Sequence, residues 1–148
     1  MVTSTRDRVP LNTDACINAS IRRKTENNIA YYASGGADAI TRRFAELDQE
    51  WDIERMLETN AATATLVGMT LGITVSRKWF VLPAAVAGFL LQHAVQGWCP
   101  PLPVLRRMGF RTASEIDYER YALKALRGDF CNVAEAGTAG HALAAAEC

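Results

Sequence analysis

Residues 61–76 read AATATLVGMTLGITVS and residues 79–98 read WFVLPAAVAGFLLQHAVQGW, with only Arg77 and Lys78 between them. A bilayer core is roughly 30 Å thick and a helix rises about 1.5 Å per residue, so one crossing takes about 20 residues. Residues 79–98 supply 20 and residues 61–76 a shorter 16. Neither stretch has the alternating polar face of an ordinary surface helix. The pair predicts an all-α protein built on a two-helix transmembrane hairpin, with spans at about 61–76 and 79–98.

The ends of both stretches carry boundary chemistry. Pro83 falls in the first turn of the second helix, where a missing amide donor costs little, and Pro100, Pro101 and Pro103 stop it. Trp79 and Trp98 bracket that helix, and Trp51 precedes the first, all suited to anchor at a headgroup boundary. Six arginines flank the pair (42, 43, 55, 106, 107 and 111) against Arg77 and Lys78 in the turn. That bias predicts that both termini lie in the cytoplasm.

Small residues predict how the helices pair. Ala64, Gly68 and Gly72 recur every four residues in the first span, and Ala84 and Gly88 in the second. In lipid, apolar burial drives little association, so close backbone approach along such faces is expected to hold helices together. The pairing is open between one chain and two. Thr63, Thr65, Thr70 and Thr74 are tolerable in lipid if each hydroxyl returns to its own helix's carbonyls.

Outside the hairpin the pattern turns polar. Residues 1–37 lack a cleavable apolar leader and are expected to form a polar, partly disordered tail, so a span would serve as its own insertion signal. Ser34-Gly35-Gly36 breaks the backbone, and Asp38 is a plausible N-cap. Ile40, Phe44, Leu47 and Trp51 then share one helix face, and this helix could run unbroken into the first span. Thr112-Ala113-Ser114-Glu115 is a capping box opening a helix with Ile116, Tyr121, Ala122 and Leu126. Gly128 is its expected stop, which explains Arg127-Gly128-Asp129 without any adhesive role. Residues 38–130 form the hairpin domain in this reading, and the Ala- and Gly-rich segment 131–148 a flexible tail.

The residues that invite chemistry are few. Sixteen basic against sixteen acidic side chains give no field for nucleic acid. The cysteines at 16, 99, 131 and 148 have no zinc or dithiol spacing, so no metal and no cofactor are expected. Cys99, fixed between Trp98 and Pro100, is the one weak catalytic candidate. A helix C-terminus disfavours thiolate, unless Arg106 or Arg107 folds back. Gln92, His93 and Gln96 are polar within the second span, with a histidine hydrogen-bonded across a helix interface as the plain expectation. Glu54 or Glu58 is expected to pair with a basic residue of the C-terminal segment, clasping the two flanks.

The segment from Glu50-Trp51-Asp52-Ile53-Glu54-Arg55-Met56-Leu57-Glu58 to Gly128-Asp129-Phe130 resembles a bacterial inner-membrane family of unknown function. Gly68 to Gly72 and the exit Gly97-Trp98-Cys99-Pro100 are similar to the transmembrane hairpin attached to membrane-bound rhodaneses. The resemblance implies two spanning helices and self-association through them. The soluble sulfur-transfer domain of those enzymes has no counterpart in this chain. The expected role is therefore non-enzymatic: a self-associating scaffold or accessory subunit whose partners are the bilayer and a homo-oligomer or larger membrane complex. A thiol or sulfur relay through Cys99 and a soluble helical interaction domain are the alternatives. A lipid or quinone between the helices is also open, with nothing in the sequence selecting a head group.

Overall fold

The computed structural model describes residues 7–130, which are helical and, among those residues, without strands. Seven α-helices follow in order: α1 (Arg8–Leu11), α2 (Ala15–Ser34), α3 (Gly36–Gln49), α4 (Ile53–Thr74), α5 (Val81–Gln96), α6 (Leu102–Arg107) and α7 (Ala113–Arg127). A 3₁₀ turn over Arg77–Phe80 joins α4 to α5. The expected tail at 131–148 lies outside the described residues. Residues 15–34, expected as part of a polar and partly disordered tail, form a 20-residue helix instead. Contacts divide the chain into two compact units, one of residues up to 21 with 51–114, the other of 22–50 with residues from 115 on.

The first unit holds the hairpin. Asp52 caps α4 by accepting the Arg55 amide at 2.6 Å, so α3 and α4 are separate helices, not one bent rod. At the base of the hairpin, Val9, Ile53, Leu57, Cys99, Leu102 and Leu105 form a buried cluster backed by Met56 and Phe110. Main-chain bonds lock it, the Ile53 amide donating to the Arg111 carbonyl at 2.9 Å. Arg106 is almost fully buried there, donating to the Phe110 carbonyl at 3.1 Å and to Asn18 Oδ1 at 2.8 Å.

Beyond the base, the hairpin closes on small residues. A side chain at Gly68 would strike Pro83 Cδ at 2.6 Å, and one at Gly72 would strike the Phe80 ring at 2.7 Å. The Gly68–Gly72 face thus packs within the chain, but its counterpart is Phe80, Leu82 and Pro83. Ala84 and Gly88, expected to be that counterpart, are exposed, and a Cβ at Gly88 would meet nothing within 4 Å. Their spacing is right for close packing; the rotation of α5 points them elsewhere.

The second unit buries Ile40, Phe44 and Leu47 of α3 against Ile116 and Leu123 of α7, with Ile29 and Tyr32 of α2 packed alongside. Three of the four residues expected on the α3 face are therefore core, and Trp51 is exposed beyond the helix end. On α7 the inward positions are Ile116, Glu119 and Leu123, while Tyr121 and Leu126 face out. Glu119 is fully buried and receives Arg43 Nε at 2.7 Å, and Arg43 also reaches Glu46 at 2.8 Å. Gly128, at φ +91°, ends α7, and Arg127 turns back to pair with Asp129 at 2.6 Å while stacking on Phe44.

Removing one partner of a buried ion pair leaves the other charge uncompensated. Glu119→Ala is expected to destabilise this unit by about 3–5 kcal/mol, and Glu119→Gln by clearly less, measured by denaturant melts of the helical signal.

Candidate functional site: the hairpin and its polar base

Two features characterise the hairpin. The first is its surface. Leu66, Ile73 and Val75 at the distal half of the α4 arm, and Val81, Leu91 and Val95 on α5, are each more than half exposed. Arg77–Gln96 is the one helical stretch among the described residues long and apolar enough to cross a membrane, and only 6% of its apolar window is buried. The α4 arm does not reach that standard, because its threonines and its Glu58-Thr59-Asn60 entry dilute the apolar run. Three of those hydroxyls are satisfied internally: Thr63, Thr70 and Thr74 donate to the carbonyls of Thr59, Leu66 and Thr70 at 2.7–2.8 Å. Trp51, Trp79 and Trp98 all stand partly exposed.

The second feature is the seal at the hairpin base. The last carbonyls of a helix have no partner within it. Here α1 supplies donors from outside: Arg8 to the Ala94 carbonyl at 3.0 Å and Asn12 to the Gln96 carbonyl at 2.9 Å. Gly97 makes the approach possible. Its φ of +76° turns the chain out of α5, and a Cβ there would strike the Arg8 carbonyl oxygen at 2.6 Å. The Gly-Trp-Cys-Pro exit is in this sense a docking notch for α1, which sequence spacing alone does not reveal.

Polar side chains gather at this base. His93 is 94% buried, being 6% exposed, and neither ring nitrogen has a hydrogen-bond partner. The expected bond across a helix interface is absent. Gln92 is half-buried and Gln96 exposed, so the three polar residues of α5 do not act as one group. Glu54 bonds to main-chain amides, its own and that of Ala113 at the start of α7, while Oε2 stays buried and unbonded. Burial pushes its carboxyl above the usual range, with the Asp52 charge adding to the effect. The expected clasp between the flanks is therefore made to a backbone amide, not to a basic side chain. Arg55 instead stacks on Trp51.

Cys99 lies in the core, 4% exposed, and burial pushes its thiol up from the ordinary value. A thiol held in the neutral form is a poor nucleophile. Among the described residues no group of three His, Cys, Asp or Glu side chains could hold a metal ion.

No protein-family model matches this chain, and no curated protein or solved structure is significantly similar to it. Its class is set by the geometry alone: an all-helical protein carrying one candidate membrane-crossing helix.

With the thiol buried and its pKa raised, Cys99 is expected to react with maleimide at least about tenfold more slowly than exposed Cys16 near neutral pH, read by peptide-resolved mass spectrometry. Gly97→Ala should erase much of that difference by displacing α1 from the base. Equal labelling of Cys16 and Cys99 in the unsubstituted protein would show an accessible thiol.

Proposed function

We propose that this chain is a small integral protein of the bacterial inner membrane, its α4–α5 hairpin embedded as two transmembrane helices and both termini in the cytoplasm. The observation that carries this reading is the exposure of large apolar side chains around both arms. A helix in a soluble core would have these residues buried, whereas on this hairpin they have nothing to bury against. A soluble partner covers one face. Here Val81, Phe89 and Leu91 on one arm and Leu66, Val67 and Met69 on the other point several ways, as surfaces solvated by acyl chains do. The internally bonded threonines and the tryptophans at the helix ends support the same reading.

The work proposed is structural: self-association, or service as an accessory subunit of a membrane complex. The likeness of the Gly68–Gly72 and Gly97–Pro100 segments to the rhodanese-linked hairpin supports self-association. The contact proposed is the exposed Ala84–Gly88 face, since the Gly68–Gly72 face is already occupied within the chain. Nothing in the surroundings of Cys99 favours the thiol relay.

Two measurements test this. The native protein is expected to stay with membranes through alkaline carbonate washing and to leave only with detergent. Recovery in the high-speed supernatant of lysed cells would overturn membrane embedding and favour the soluble interaction domain. Gly88→Ile is expected to reduce oligomer size in detergent while leaving the hairpin intact. Gly68→Ile should open the hairpin itself, because its branched side chain meets Pro83. Unchanged oligomer size in Gly88→Ile would exclude that face as the contact.

A further inference from the structure

Towards the base of the hairpin, α4 and α5 part and leave a half-open cleft of about 220 Å³. Leu57, Ala61 and Ala64 form one wall, Val86 and Leu90 the other, and Cys99 lies at the floor. Glu54 precedes Leu57 by three residues on α4, and His93 follows Leu90 by three on α5, so each stands one turn nearer the base on the cleft side. The Arg8 charge acts on both of them. At that end four buried polar atoms have no hydrogen-bond partner: Arg8 Nε, Glu54 Oε2, and both ring nitrogens of His93. Buried polar atoms left this way are rare, and a cluster of them beside an apolar cleft marks a place where something polar belongs.

We infer that the cleft and this polar cluster are one binding site for a single-chain amphiphile with a carboxylate head, of the fatty-acid class, its alkyl chain between α4 and α5 and its head against Arg8 and His93. The cleft is smaller than the roughly 300–1,000 Å³ of pockets that take drug-sized molecules, which suits one chain entering through the open side and not a pair of chains or a substituted ring. The donors match the head: Arg8 Nε–H and an imidazole N–H both point to an acceptor-rich group. Glu54 does not oppose an anion, because burial favours its protonated form, in which it too donates. Cys99 lines the floor beside that head group as one more buried, uncharged side chain.

The site is defined by side chains at the hairpin base and holds whether or not the hairpin is embedded. The full-length protein is therefore titrated with radiolabelled dodecanoate, in phosphatidylcholine nanodiscs if it pellets with membranes and in buffer if it does not. One saturable molecule per chain is expected. Ala64→Phe, which fills the cleft without touching the polar base, is expected to abolish it. Arg8→Gln and His93→Leu should each weaken binding by about tenfold or more, as loss of a hydrogen bond to a charged group does. Dodecanol should bind about tenfold more weakly than dodecanoate, and dodecyltrimethylammonium not measurably. Lack of a saturable component, retention of full affinity in Ala64→Phe, or equal binding of the cationic amphiphile would each overturn the site. If Arg8→Gln unmoors α1 and unfolds the base, Ala64→Phe and the head-group series still decide the question.

Discussion

The carbonyls of Ala94 and Gln96 at the end of α5 have to be answered by something, and the answer organises the first unit. Arg8 and Asn12 reach them from α1, and with that contact Val9 enters the core beside Leu57 and Cys99. The Asn18 side chain, a few residues on, then donates to the Pro10 carbonyl and accepts from Arg106, tying the start of α2 and the proline-initiated α6 to the same base. A glycine at 97 is the geometric condition for this arrangement, since any side chain there collides with the Arg8 backbone. The hairpin is thus held at its root by polar contacts to main-chain atoms, and along its length by Gly68 and Gly72 meeting Pro83 and Phe80. These two means leave the outer surfaces of both arms free.

What could be read from the residues follows from how local the signal is. The helical pair is legible because apolar runs, the Ser76-Arg77-Lys78 turn and the proline exit are local features; α5 falls close to the expected bounds, whereas α4 begins at Ile53, well before the expected start at residue 61. The break at Gly35-Gly36 and the stop at Gly128 were legible for the same reason. The small-residue faces were half legible. A four-residue spacing says that a face can approach another backbone, but not which rotation of the partner helix meets it, and so the contact that the spacing suggests for Ala84 and Gly88 is made by Phe80 and Pro83. The helix over Ala15–Ser34 was missed because its polar composition has little amphipathic pattern. Arg8 carries no sequence signal at all, and the charge cluster that singles out Glu54 does not show that it is buried. Their role depends on a contact between segments more than forty residues apart, a separation no periodicity reports.

Cys99 illustrates how position reverses an apparent function. In the sequence it looks like a thiol displayed at a membrane boundary between Trp98 and Pro100. In the fold the chain turns at Gly97, Trp98 stays at the surface, and the cysteine is carried inward to become a small apolar wall. The same turn that hides the thiol leaves His93 buried one helical turn away. Chemistry at this base accordingly shifts from the cysteine to the unsatisfied nitrogen and oxygen atoms above it.

The lengths of the two arms set the depth at which an embedded hairpin would sit. Residues 61–76 extend only about 24 Å as a helix, short of a bilayer core of roughly 30 Å. Below Asn60, the charged Glu58 and Arg55 prevent α4 from sinking further without dehydrating them. At the other end Arg77 and Lys78 can extend their alkyl stems and place their charges beyond the turn. In the proposed embedding the mismatch would be met by local thinning of the bilayer and by these two side chains, at a cost of fractions of a kcal/mol per ångström. That embedding would place Trp79 near one boundary and Trp51 and Trp98 near the other. The cleft between α4 and α5 would then open just inside the second boundary, at the depth where the carboxylate of an acyl chain lying in the same leaflet would meet Arg8.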